Sequence, residues 1–132
     1  MANRSLKYRV LLSLVRALPA KKIMASPPEK AQKIFKKAYK GIQIPDLHDP
    51  DLRSQRKEVA GSTVLSIWHK KPVDKVGIYL IGGGMLKYPK PSQAKECMTL
   101  AKECGIDMML PYYPIIFTGA TLPDVYEMVY QL

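Results

Sequence analysis

The stretch Val76-Gly77-Ile78-Tyr79-Leu80-Ile81 is near-continuously apolar and ends abruptly in three glycines, Gly82-Gly83-Gly84. An apolar run of this length, closed by a breaker, reads as a central strand covered on both faces. After the glycines, Ala94, Cys97, Met98, Leu100 and Ala101 recur at helical spacing between about Ser92 and Cys104. Ser92 reads as the cap of that helix and Gly105 as its stop. Ile106 to Leu110 then reads as a second buried strand. Two covered strands joined through a helix call for a right-handed parallel crossover, so the fold class is α/β.

The chain ahead of that unit has a different period. Leu11, Leu14, Val15 and Leu18 fall on one helical face, and Pro19 ends the helix. Ser26-Pro27-Pro28-Glu29 has the form of a capping box and opens a second helix, with Ala31, Ile34, Phe35 and Ala38 as its apolar stripe. Gly41 closes it. Pro45 and Pro50 make Ile44 to Leu52 an irregular loop, and beyond it Arg56 to Ala60 and Thr63 to Trp68 flank Gly61 as a hairpin. Past the second buried strand, a loop with Pro111, Pro114 and Gly119 leads to a last helix from about Leu122. The expected organisation is a helical, cap-like segment over 1–43 and an α/β segment over 44–132. Two parallel strands and a hairpin make a thin sheet with an open edge. The chain therefore reads as a piece of a larger fold, expected to self-associate through that edge and the last helix.

Composition narrows the function classes. With 132 residues, 47% of them apolar, the chain has room for one ordinary domain at most. Its net charge of +10 is confined to residues 1–40, which carry eleven Lys or Arg and one acid, Glu29; the remainder is neutral. That basic stretch fits solvated helix faces, or weak contact with an anionic membrane surface. It lacks the zinc-finger spacing, homeodomain-like helix or aromatic-studded sheet of a nucleic-acid reader, so nucleic acid is the disfavoured partner. Cys97 and Cys104 would lie ~10 Å apart on a helix, beyond the ~7 Å reach of a disulfide. Two free thiols suit a reducing, cytoplasmic setting. His48 and His69 are too distant in sequence to build a metal site with them, and no metal or other cofactor is expected.

Glycines at the carboxyl end of a buried strand let backbone N–H groups approach a ligand. A dinucleotide fingerprint fails here, because Lys87 stands at the third glycine position and no acid closes the next strand. A phosphate-binding P-loop is absent as well. Two readings stay open on the residues alone: a tight turn without a ligand, or an oxyanion hole whose amides face the oxygen of an ester.

The segment from Val76 to Met85 resembles the strand and H-G-G-G signature of α/β-hydrolases in their hormone-sensitive-lipase-like esterase branch. Leu110-Pro111-Tyr112-Tyr113-Pro114 and then Leu122-Pro123-Asp124-Val125-Tyr126 resemble that branch's next strand and following helix, and the helical amino terminus resembles its cap. The resemblance implies that Gly83 and Gly84 donate to the oxyanion of a tetrahedral intermediate while Gly82 shapes the turn. Its substrate would be a small-molecule carboxylic ester. Two departures stand out. Ile81 replaces the histidine before the triplet, and Ile116-Phe117-Thr118-Gly119 replaces the A-P-E-H part of the later loop. In the family's chain order the G-x-S-x-G serine, the acid and the histidine all follow this point. No catalytic residue is therefore expected within these 132 residues. None of the seven serines has the elbow setting; Ser62 sits in the hairpin. The isolated chain should be inactive. The competing readings are a non-catalytic basic module binding an anionic membrane surface or nucleic acid, and a degenerate hydrolase kept as a scaffold.

Overall fold

Four consecutive residues, Val64 to Ile67, are buried, so their strand is covered on both faces. They belong to β2 (Ser62–His69), which pairs antiparallel with β1 (Leu52–Val59) on one side and with β4 (Asp107–Pro111) on the other. The structure, a computed structural model, describes residues 25–39, 41–82 and 85–132. The helix read around Leu11 to Leu18 lies outside them, as do Gly83 and Gly84. The chain divides into two units, Met1–Ala38 and Tyr39–Leu132.

In the first unit, α1 (Pro28–Ala38) starts at the paired prolines, with the Lys30 N–H donating to the Pro27 carbonyl at 2.9 Å. Lys30, Lys33, Lys36 and Lys37 are exposed, and so is Ile34 of the expected apolar stripe, at 39%.

In the second unit the order along the chain is β1, β2, β3 (Val76–Ile78), α2 (Pro91–Cys104), β4, a 3-10 turn (Ile116–Thr118) and α3 (Leu122–Tyr130). The strand order across the sheet is β1-β2-β4-β3, with β3 parallel to β4. This is an incomplete α/β sheet. Leu65, Ile67, Leu110, Ala94, Cys97 and Met128 form the middle of its core. Burying a side chain the size of Ile67 is worth ~1.5–3 kcal/mol, which makes β2 the mechanical centre of the unit.

Three local differences from the sequence reading have physical causes. β1 begins four residues earlier than Arg56, because Arg53 to Glu58 are all exposed on an edge strand and carry no apolar alternation to read. β3 is not covered on both faces: Val76, Ile78 and Leu80 are 56%, 44% and 54% exposed, while the alternate residue Ile81 is 9% exposed. Its apolar run reflects an edge strand with one bare face among the described residues. Ser92 is inside α2 and does not cap it; the helix starts at Pro91, and the Lys90 N–H is taken up by Gln93 Oε1 at 2.9 Å. Gly105 does stop the helix, at φ 62°, with its N–H on the Ala101 carbonyl. No described helix is long and apolar enough to cross a membrane.

Candidate functional site

β3 and β4 run parallel, and their carboxyl ends bring the chain after Ile81 beside the chain after Pro111. In an open α/β sheet this is where ligands bind. Gly82 is exposed, and a Cβ added to it would meet nothing within 4 Å. The space beside the backbone is therefore open at the first glycine of the triplet.

The described flanks of the triplet are held from one side. The Tyr113 hydroxyl donates to the Ile81 carbonyl at 2.7 Å in a buried setting. The Ile116 N–H donates to the Met85 carbonyl at 3.0 Å. Met85 itself has φ 58°, a left-handed conformation uncommon outside glycine. The strap thus leaves β4, runs through Tyr113 and Pro114, and meets the loop on both sides of the glycines. Sequence reasoning missed Tyr113; its only signal was a tyrosine pair before Pro114, in the loop expected to follow the strand.

Aromatic packing backs this end of the sheet. Tyr112 is 1% exposed, its N–H donates to the Thr63 carbonyl at 2.8 Å, and its ring lies 6.3 Å from that of Tyr88. Burial pushes the Tyr112 phenol up to about 12, and its hydroxyl has no partner among the described residues. Burial also raises the Tyr113 phenol. Both hydroxyls stay protonated at neutral pH, so Tyr113 is a steady donor.

The other candidate side chains lie elsewhere. His48 is exposed in the loop before β1. His69 is not the exposed bystander its strand-end position suggested: it is tied to Asp107 at the opposite end of the sheet from Gly82. Ser62 is buried at the start of β2, and Ser92 is exposed on α2. The described residues thus set no Ser-His pair at the glycine loop. No cluster of three or more His, Cys, Asp or Glu able to hold a metal ion occurs among the described residues. A cavity of about 900 Å³ lies against β1, lined by Leu47, Asp49, Leu52, Arg53 and Arg56 among others; no described residue of the glycine loop lines it.

No protein-family model matches the sequence. No curated protein matches it either. Solved structures do match the fold. A provisionally assigned esterase from Staphylococcus aureus superposes with a TM-score of 0.64 at 18% identity, over 82% of this chain and 38% of that one. An esterase from the bacterial hormone-sensitive lipase family gives 0.53 at 16% identity, over 97% and 41%. An esterase/lipase from an uncultured bacterium gives 0.52 at 17% identity, over 80% and 42%. The chain spans about two fifths of the length of these structures. The strand order, the parallel β3–α2–β4 unit and these superpositions together give the chain the fold of the amino-terminal part of an α/β-hydrolase, as found in hormone-sensitive-lipase-like esterases.

Proposed function

We propose that this chain is the amino-terminal part of a serine carboxylesterase or lipase, contributing the oxyanion loop and none of the triad. The observation that carries the reading is the open backbone at Gly82, at the carboxyl end of a parallel strand pair in a hydrolase fold. In the complete enzyme Gly83 and Gly84 would donate N–H bonds to the developing alkoxide, with Gly82 shaping the turn. A serine downstream, activated by a histidine and oriented by an acid, would attack a small carboxylic ester. Loss of one such donor costs ~10²–10³ in turnover in hydrolases of this type. The two free thiols support a reducing, cytoplasmic setting.

The test is an assay on short p-nitrophenyl esters together with fluorophosphonate labelling. The 132-residue chain should neither turn over the ester nor take the label. A longer reading frame carrying G-x-S-x-G after Leu132 should do both. Inhibitor-sensitive turnover by the 132-residue chain would sink the reading, and a silent longer chain would favour a degenerate scaffold.

A second reading draws on α1, whose exposed Lys30, Lys33, Lys36 and Lys37 suit an anionic membrane surface. Salt-dependent retention on anionic vesicles, lost on replacing Lys33 and Lys37, would support it. Retention on DNA in place of vesicles would count against it. Self-association belongs to the bare apolar face of β3, and light scattering showing a stable monomer at tens of micromolar would exclude it.

A further inference from the structure

We propose that Tyr113 is a positioning residue for the glycine loop, acting with the Ile116 N–H to fix the peptide planes by which the chain enters and leaves that loop, those of Gly82 and Leu86. The proposal rests on the oxyanion reading above and deepens it. A peptide unit is planar, so a carbonyl held in one direction holds the next residue's N–H in the opposite one. Tyr113 Oη fixes the Ile81 carbonyl, and thereby the Gly82 N–H. Ile116 fixes the Met85 carbonyl, and thereby the Leu86 N–H. The described flanks of the glycines are thus both tied to one strap, and Met85, the flank that Ile116 ties, has a left-handed φ of 58°. On the oxyanion reading, fixed entry and exit planes lessen the reorganisation asked of the glycine donors when charge develops on a substrate oxygen.

The position before the triplet makes this brace necessary. Ile81 is 9% exposed and its side chain offers no hydrogen bond, so only its backbone can be tied down. The hydroxyl that does so arrives from 32 residues later in the chain. It belongs to a phenol that burial keeps protonated, and Tyr113 is itself only 6% exposed, so water does not compete freely for the bond.

Hydrogen–deuterium exchange on the 132-residue chain tests the brace directly. Tyr113→Phe removes one hydroxyl and keeps the ring. Ile116→Pro removes one N–H at the first residue of a 3-10 turn, and Ile115 already has the extended φ −109°, ψ 157° that a following proline requires. In each variant, exchange over residues 80–87 should rise on the order of tenfold, with β2 and β4 at wild-type rates, since these amides open locally. Unchanged exchange over 80–87 in both variants overturns the proposal. So does a uniform rise across β2, β4 and α2, which is what a merely structural role gives. The readout needs no ester turnover, so its failure is distinct from failure of the esterase reading.

Discussion

Asp107 Oδ1 accepts the His69 backbone N–H at 2.8 Å and lies 3.1 Å from His69 Nδ1, joining the end of β2 to the start of β4. Both side chains are 16% exposed, so water replaces these bonds poorly. Asp107→Ala should cost about 1–3 kcal/mol by leaving a half-buried N–H without its acceptor. Thermal melts should fall by about 3–5 °C per kcal/mol for a chain of this size. Asp107→Asn keeps an acceptor for the backbone N–H and should lose less. Equal losses for the two variants would show that the backbone bond contributes nothing.

The hairpin between β1 and β2 turns on two residues, Ala60 at φ 47° and Gly61 at φ 69°. Two positive φ angles in a two-residue loop match the right-handed twist of the flanking strands. Gly61 adopts its angle freely, but Ala60 has a Cβ and is strained there. Ala60→Gly should stabilise the chain by about 0.5–1 kcal/mol, the relief of strain exceeding glycine's added unfolded-state freedom. Gly61→Ala should destabilise it by about 1 kcal/mol, although a Cβ there would meet nothing within 4 Å. Urea midpoints moving the other way would refute the turn geometry.

What the sequence announced and what it hid divide along physical lines. The α2 stripe and the Gly105 cap were legible because they are local, set by periodicity and backbone permissiveness, whereas the strand expected to run to the glycines after Ile81 ends at Ile78. The extent of β1 was not, since Arg53 to Glu58 face solvent and an edge strand is specified by its partner more than by its own pattern. The coverage of β3 was misread because an apolar run does not say whether its second face has a neighbour. At the candidate site, Gly82 and the parallel strand ends could be placed, whereas the Tyr113–Ile81 bond spans 32 residues and leaves no mark in either local segment. The His69–Asp107 tie was hidden for the same reason, across 38 residues.

The two thiols should differ in reactivity. Cys97 is fully buried, and burial first, then the neighbouring Glu96 charge, pushes its thiol up to about 11. Cys104 is exposed at the end of α2. Because the thiolate is the reactive species, Cys97 should be silent at pH 7.5 on grounds of access and ionisation alike. Iodoacetamide followed by mass spectrometry should show a single adduct per native chain, at Cys104, and two after denaturation. Native labelling of Cys97 at a comparable rate would mean that α2 opens readily from the sheet.

Acid should weaken the unit through two carboxylates. The Lys102 ammonium, bonded at 2.9 Å, and the Asp51 N–H hold the Asp49 carboxyl below its ordinary 3.8. The Thr121 hydroxyl, at 2.7 Å, and the Thr121 N–H, at 2.6 Å, do the same for Asp124 at the start of α3. A carboxyl whose folded pKa lies below its unfolded one binds protons more readily in the unfolded chain. Its stabilising contribution is therefore complete above about pH 4 and is lost as pH falls from there through the lowered folded value. Melting temperatures should hold between pH 7 and 5 as far as these groups decide it, then fall below pH 4. The double variant Asp49→Asn, Asp124→Asn should start lower and fall less steeply over that acid range. Added salt should reduce the Asp49 part, whose partner Lys102 is half-exposed, more than the Asp124 part, whose partners are neutral. An acid slope unchanged in the double variant would assign the loss to other groups.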